Sequence, residues 1–441
     1  MPAHPADSAI YSGLLGDVET ARLFSDSAEI RAMLLVEGAL AKVQGAAGLI
    51  PTEAAAYIER AAREVVIDPA ALSAETARNG VPVPALLTAF RKEANAPDLM
   101  HYLHWGATSQ DIMDTGLALR LRRVLDIWQL RLREILAQLA ALADTHADLP
   151  MAARSYGQIA TPTTFGAVVA AWGWPLISHH ARLDNLRQDV LKVSLSGAAG
   201  TLSAMGAQGP AIRAALAIEL DLADPARSWH SDRSGITALA GFAASAAASL
   251  GKLGEDLILM TQSGIGEVTI GGAGGSSTMP QKQNPVGPSA LVALARFVIG
   301  QASVLQGAGL HRGQRDGAAW FAEWLTLPQT CIALSRMLTL ASETLAGLHP
   351  NAQAMQNQMF TAHGSLYAEA LTFALSRAMP RPAAEAEVKR LLTESAARQL
   401  SLLHFARQSY TWLDIDQLVA HSLGTAMDDA RAFAKGVKVM A

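Results

Sequence analysis

The run LALRLRRVLDIWQLRLREILAQL, residues 117–139, decides the fold. Within it Leu117, Leu121, Leu125, Trp128, Leu132, Ile135 and Leu139 recur at three- and four-residue spacing, the period that draws one apolar stripe down an α-helix. A stripe that long is buried only against neighbours of similar length. Stretches of matching period follow at 163–193, 234–263, 285–310 and 321–347. Two of them open with Thr161-Pro162 and Asn284-Pro285, proline at a helix start costing no hydrogen bond. Period-two alternation is scarce, so the expected class is all-α, a long central bundle with at most a short hairpin.

On either side the texture changes. Residues 1–110 mix short helical stretches with breakers such as Pro51, Asp68-Pro69 and Asn79-Gly80-Val81-Pro82, and residues beyond Pro350 return to short helices broken by Pro380 and Pro382. Three zones result: an N-terminal helical domain to 110, the bundle over 111–349, and a C-terminal helical domain over 350–441. No repeat of fixed period is present, which removes solenoids.

The bulk numbers narrow the function. Of 441 residues half are hydrophobic and only 17% charged, lean for a monomer that must clothe its own surface, so burial between subunits is expected. A formal net charge of -4 with no basic stripe argues against nucleic acid as a partner. Neither a signal sequence nor an unbroken apolar run of about 18 residues stands out, so a cytoplasmic location without a membrane partner is expected. The single cysteine, Cys331, lies in an apolar helical context and reads as core.

Residues 264–285, GIGEVTIGGAGGSSTMPQKQNP, break the helical texture. Glycine at this density gives up much entropy on ordering and lets backbone approach a ligand, as in a mobile loop over 264–283 that closes on substrate. Two serines, Lys282 and Asn284 then stand directly before a helix start, where backbone N–H groups favour an anion. The spacing fits neither a phosphate loop nor a dinucleotide fingerprint, which leaves a small carboxylate. A second unusual stretch, HYLHWGATSQD at 101–111, offers Thr108, Ser109 and Gln110 as donors to carboxylate oxygens beside small Gly106 and Ala107. His101 and His104 have no third ligand nearby, so a metal is not expected.

The segment GSSTMPQKQNP resembles the signature of the fumarase/aspartase superfamily, and HWGATSQD resembles that family's first substrate-binding segment. RSYGQIATPTTFG, residues 154–166, is similar to its second, with Tyr156 where many members carry a histidine. Bacterial carboxymuconate cycloisomerases also lack that histidine, and the opening LLGDVETARLFSD and the stretch AAWFAEW at 318–324 agree with that subfamily over essentially the whole chain. The resemblance implies a cofactor-free intramolecular lyase on a small tricarboxylate, acting as a homotetramer whose sites draw on several subunits. It implies Ser276, Lys282 and Tyr156 as catalytic residues. It further implies His104, Thr108, Ser109, Gln110, Gln158, Thr161, Asn284 and Arg315 as substrate-binding residues. Tyr156 either donates from its phenol or fills the space left by a histidine. The chain departs from the subfamily at 312–317, where a segment usually close to EHERAAG reads RGQRDG and keeps Arg315. A C–N lyase of the same superfamily and a catalytically silent structural relative remain as alternatives.

Overall fold

The computed structural model describes residues 4–272, 274, 275, 278, 279 and 281–440. The elements that position the site are α1 (Asp26–Ala46), α2 (Val83–Ala94), α3 (Ser109–Thr145), β1 (Pro150–Ser155) and β2 (Gln158–Thr164), followed by α4 (Phe165–Val190), α5 (Ser234–Met260), β3 (Val268–Ile270), α6 (Val286–Gly307), α7 (Gly317–Ala346) and β4 (Leu348–Pro350). The five long helices stand where the apolar periodicity puts them. The stripe of α3 is buried from Leu121 to Leu139, while Leu117 is half-buried. Trp128 shows why the stripe holds: it is fully buried, stacks on Phe242 and donates from Nε1 to Ser335 Oγ at 2.8 Å. Truncating an indole so placed costs about 3–5 kcal/mol.

The chain divides into two compact units. One comprises residues 1–130, 179–248 and 294–337; the other comprises 131–178, 249–293 and 338–441. In the first, α1 packs its Met33, Leu34, Val36 and Leu40 into one core with Ile58, Leu86, Phe90, Ile112 and Trp320. In the second, a smaller core forms from Leu371, Leu375, Val388, Leu391, Leu402 and Phe405. Cys331 is buried, and that burial pushes its thiol far above the usual range.

The helix-start reading at Thr161-Pro162 needs correction. Both residues lie in β2, which pairs antiparallel with β1 and has Pro162 opposite Ala152. The helix begins at Phe165 instead, with Thr164 Oγ1 accepting the N–H of Ala167, so threonine chemistry does start the helix, one step later. A second small ladder pairs β3 with β4. Helices α5 and α6 have the length and composition of membrane spans, and about half of each apolar window is buried within the chain. Ile299 and Val304 on α6 remain exposed.

Candidate functional site

Residues 101–106 form a turn, not a helix, so His101 and His104 lack the helical spacing a metal pair would use. His101 instead sets its ring edge against Tyr102. His104 and Gly106 both have left-handed backbone, φ 65° and 72°; a Cβ at Gly106 would meet Met205 Cγ at 3.0 Å. This turn is pinned from α1: Glu37 Oε1 lies 2.6 Å from His104 Nδ1, and Gln44 donates to the Trp105 carbonyl at 2.7 Å.

Helix α3 starts with a reciprocal cap. Asp111 Oδ2 accepts the N–H of Thr108 at 3.1 Å while the Asp111 N–H donates to the Thr108 carbonyl at 3.0 Å. The same fully buried carboxylate accepts from the N–H groups of Ser196 and Gly197, both at 2.9 Å, from Ser194 Oγ, and from His230 Nε2 at 2.8 Å. So many donors on one carboxylate make Asp111 the knot that ties 108–111, 194–197 and 230 together.

Gln110, expected to meet substrate, is fully buried with its amide already engaged. It donates to Asp114 Oδ2 and to the His230 carbonyl, and its Oε1 accepts from Arg315 Nε at 2.7 Å. What this arrangement turns outward is the Arg315 guanidinium. Thr108 and Ser109 are half-buried, and among the described residues their hydroxyls have no protein partner.

Behind this lies a buried charge cluster. Arg233 donates to Asp114 and Glu323 through four contacts of 2.6–3.2 Å, each of the three side chains at most 1% exposed. Burial opposes the Arg233 charge, and the two carboxylates outweigh it, so its pKa rises. His311 beside it has both ring nitrogens buried without a protein partner among the described residues; burial and the Arg233 charge hold its pKa down. Asp114 and Glu323 of this cluster also line a cavity of about 530 Å³ whose wall includes Phe24, Met33, Met113, Leu117, Trp320 and Trp324 with Asp26, Glu29 and Arg120.

The unusual 312–317 segment resolves locally. Asp316 accepts from Ala318 N–H and Ala319 N–H as the cap of α7, and Arg312 Nε donates to it at 2.6 Å. That hydrogen bond holds the Asp316 carboxyl well below the usual range. The substitutions thus build a helix cap and leave Arg315 with Gln110.

The second unit carries the other candidates. Tyr156 and Gly157, φ 52° and 73°, form the two-residue turn between β1 and β2, the mirror-image turn that suits the twist of a hairpin. Tyr156 is fully exposed and Gln158 exposed, while Thr161 is half-buried. In its own chain, therefore, the phenol fills no histidine-shaped space. Arg154 is bound by Glu267 in a bidentate pair at 2.8 and 2.9 Å, with Glu267 fully buried, which ties β1 to the chain entering β3.

Farther on, Gly274 and Asn284 exchange backbone hydrogen bonds of 3.1 and 2.8 Å. Lys282 is exposed and Asn284 half-buried beside the start of α6. Ser276 lies outside the described residues. The candidates thus fall into groups: His104, Thr108, Ser109, Gln110 and Arg315 in one unit, and Tyr156, Gln158, Thr161, Lys282 and Asn284 in the other.

Sequence reading missed Glu37, Asp111 and the 194–197 segment. Asp111 had a visible signal, an acid three residues after Thr108 at a helix start. Glu37 had none, since an acid within an apolar helical run looks the same as any solvated glutamate.

The elements are those of an all-α protein built on long helices, and residues 17–300 match the lyase family model. The chain belongs to that family, with the fumarase/aspartase fold. It is 37% identical over 432 residues to a 3-carboxy-cis,cis-muconate cycloisomerase of Pseudomonas aeruginosa, covering 91% of this chain and 94% of that protein. The crystal structure of the 3-carboxy-cis,cis-muconate lactonizing enzyme from Pseudomonas putida superposes with a TM-score of 0.91 at 33% identity, covering 98% of this chain and 99% of the other. A nitrosuccinate lyase of Streptomyces davaonensis is 34% identical over 409 residues, covering 90% of this chain and 86% of that one.

Proposed function

We propose that the chain is a cofactor-independent cycloisomerase that interconverts 3-carboxy-cis,cis-muconate and 4-carboxymuconolactone in aromatic-acid breakdown. The observation that carries this reading is the likeness over nine-tenths of the chain to cycloisomerases of that name; the donors at 104–110, and a tyrosine at 156 where many members of the superfamily carry a histidine, are consistent with it.

Toward lactone, one substrate carboxylate oxygen adds to a carbon–carbon double bond conjugated to another carboxylate. The electron pair of that bond moves onto the conjugated carboxylate, and the α-carbon then takes a proton. The intermediate carries extra negative charge on that carboxylate, so the site must offer donors that gain strength as the charge grows. Thr108 and Ser109 hydroxyls, the Arg315 guanidinium, Lys282 and Asn284 are such donors. Ser276 exchanges the proton; a serine hydroxyl is a poor acid, and the Lys282 charge with the N–H groups at the start of α6 is the means of stabilising its alkoxide. Tyr156 donates its phenol hydrogen bond to the substrate.

The working form is a cytoplasmic homotetramer with each site built from several subunits, and its partners include neither membrane nor nucleic acid. Support comes from the lean charge of the chain, from the exposed Ile299 and Val304 on α6, and from a tyrosine standing bare on a hairpin tip.

Loss of ultraviolet absorbance of 3-carboxy-cis,cis-muconate in EDTA tests the reading. The wild type is expected to consume it and Ser276→Ala to lose turnover by about 10²–10⁴-fold with circular dichroism unchanged. No consumption by a folded wild-type tetramer would move the function to another lyase reaction.

A further inference from the structure

We propose that Glu37 is a positioning residue whose buried carboxylate fixes the orientation of His104 and makes its imidazole a cationic donor to a substrate carboxylate. This rests on the reading that the 104–110 segment binds such a carboxylate.

The geometry is specific. Glu37 is fully buried on α1, its Oε1 is 2.6 Å from His104 Nδ1, and among the described residues its Oε2 has no protein partner. A buried carboxylate with one hydrogen bond is costly to keep unless that partner also carries charge. His104 is the partner available, and protonating it places a hydrogen on both ring nitrogens. Nδ1–H is donated to Glu37, and Nε2–H is left for a ligand.

The turn is held for this purpose as well. His104 sits at φ 65°, a conformation that costs free energy for any residue with a Cβ. Glu37 and Gln44, two turns apart on one face of α1, grip its ring and the next carbonyl. Without Glu37 the ring loses both its charge partner and its anchor.

The charged groups that act on His104 come from three helices. Burial lowers its pKa, while the charge and hydrogen bond of Glu37 from α1 and the charge of Asp111 from α3 raise it; Arg91 from α2 opposes them, and the net direction is up. Asp111 is itself occupied by His230 and backbone N–H groups, so Glu37 is the direct partner. Carboxylate binding by His104 therefore persists at pH values where a free histidine is already neutral.

The test compares wild type, Glu37→Gln, Glu37→Asp and His104→Asn between pH 6 and 9. KM and kcat are read on 3-carboxy-cis,cis-muconate. Affinity and proton uptake for tricarballylate, an unreactive tricarboxylate, are read by calorimetry in two buffers of different ionisation enthalpy. In Glu37→Gln we expect KM at pH 8 to rise about tenfold, as for the loss of a hydrogen bond between charged groups, with kcat far less affected. That variant should also take up a proton on binding tricarballylate, where the wild type takes up little. Glu37→Asp should fall between them.

An unshifted KM profile and unchanged proton uptake in folded Glu37→Gln would overturn the proposal while His104→Asn still weakened binding. If His104→Asn left both KM and tricarballylate affinity unchanged, the carboxylate-binding reading would fall and the proposal with it. Should Glu37→Gln fail to fold, wild-type proton uptake decides alone: onset near the ordinary histidine value, about 6.5, overturns the proposal, and onset well above it supports it.

Discussion

The turn at 104–111 and the hairpin tip at 156–158 hold candidate residues under opposite conditions. Around Asp111 and Gln110, side chains are buried and the carboxylate and amide groups are fully engaged, because an unmatched polar group inside a protein costs about 1–3 kcal/mol. At the tip, Tyr156 is fully exposed and folding of its own chain gains nothing from the ring. The first region is held together by its own chain. The second is presented outward, which fits the proposal that it serves a site on another copy.

The largest test of that contrast is complementation. Ser276→Ala and Thr108→Ala subunits should each be impaired alone, Ser276→Ala by about 10²–10⁴-fold, and coexpression should recover activity in mixed tetramers. No recovery would break the shared-site reading. Next comes stability: Asp111→Ala strips the partner from buried His230 and two N–H groups and should cost roughly 3–5 kcal/mol in denaturant unfolding, whereas Tyr156→Ala should stay within about 0.5 kcal/mol. Equal costs would erase the distinction between the regions.

A smaller effect separates the roles of the phenol. If Tyr156 donates to charge in the transition state, Tyr156→Phe should lower kcat about ten- to a hundredfold; unchanged kcat would leave it a packing group at a subunit contact. The pH dependence of folding sharpens the buried side. Because the folded-state pKa of His104 is raised, its pair with Glu37 stabilises fully below the unfolded value, about 6.5. That stabilisation is lost as pH rises through the folded value. The stability gap between wild type and Glu37→Gln should therefore narrow toward alkaline pH, and a gap that widened would contradict the assigned charge. Smallest of all, Arg312→Ala should change kcat/KM by less than about twofold, since an exposed ion pair contributes little and Arg315 is held separately by Gln110.

Much of the molecule was legible in the sequence, and the reasons differ by region. The stripe from Leu121 to Leu139 names α3 because helical periodicity is a local property, repeated within a few residues. The chemical segments at 104–111, 154–166 and 275–285 were visible because glycine, proline and clustered donors interrupt that period. Thr161-Pro162 misled because proline suits a helix start and a strand position alike, and only its place opposite Ala152 shows which holds. Gln110 misled because an amide beside two hydroxyls looks like a ligand-facing donor, yet it faces inward and steers Arg315.

The sequence by itself determined the helical class, the family and the segments proposed to carry the chemistry, all of which depend on residues near one another in the chain. Only the tertiary structure decided that Asp111 binds groups some 80 to 120 positions away, that Arg233 joins Asp114 to Glu323, and that Glu37 is the partner of His104. The reason is physical. A charge has a partner by virtue of which helix faces meet after burial, and its own short stretch of sequence does not encode which faces those are.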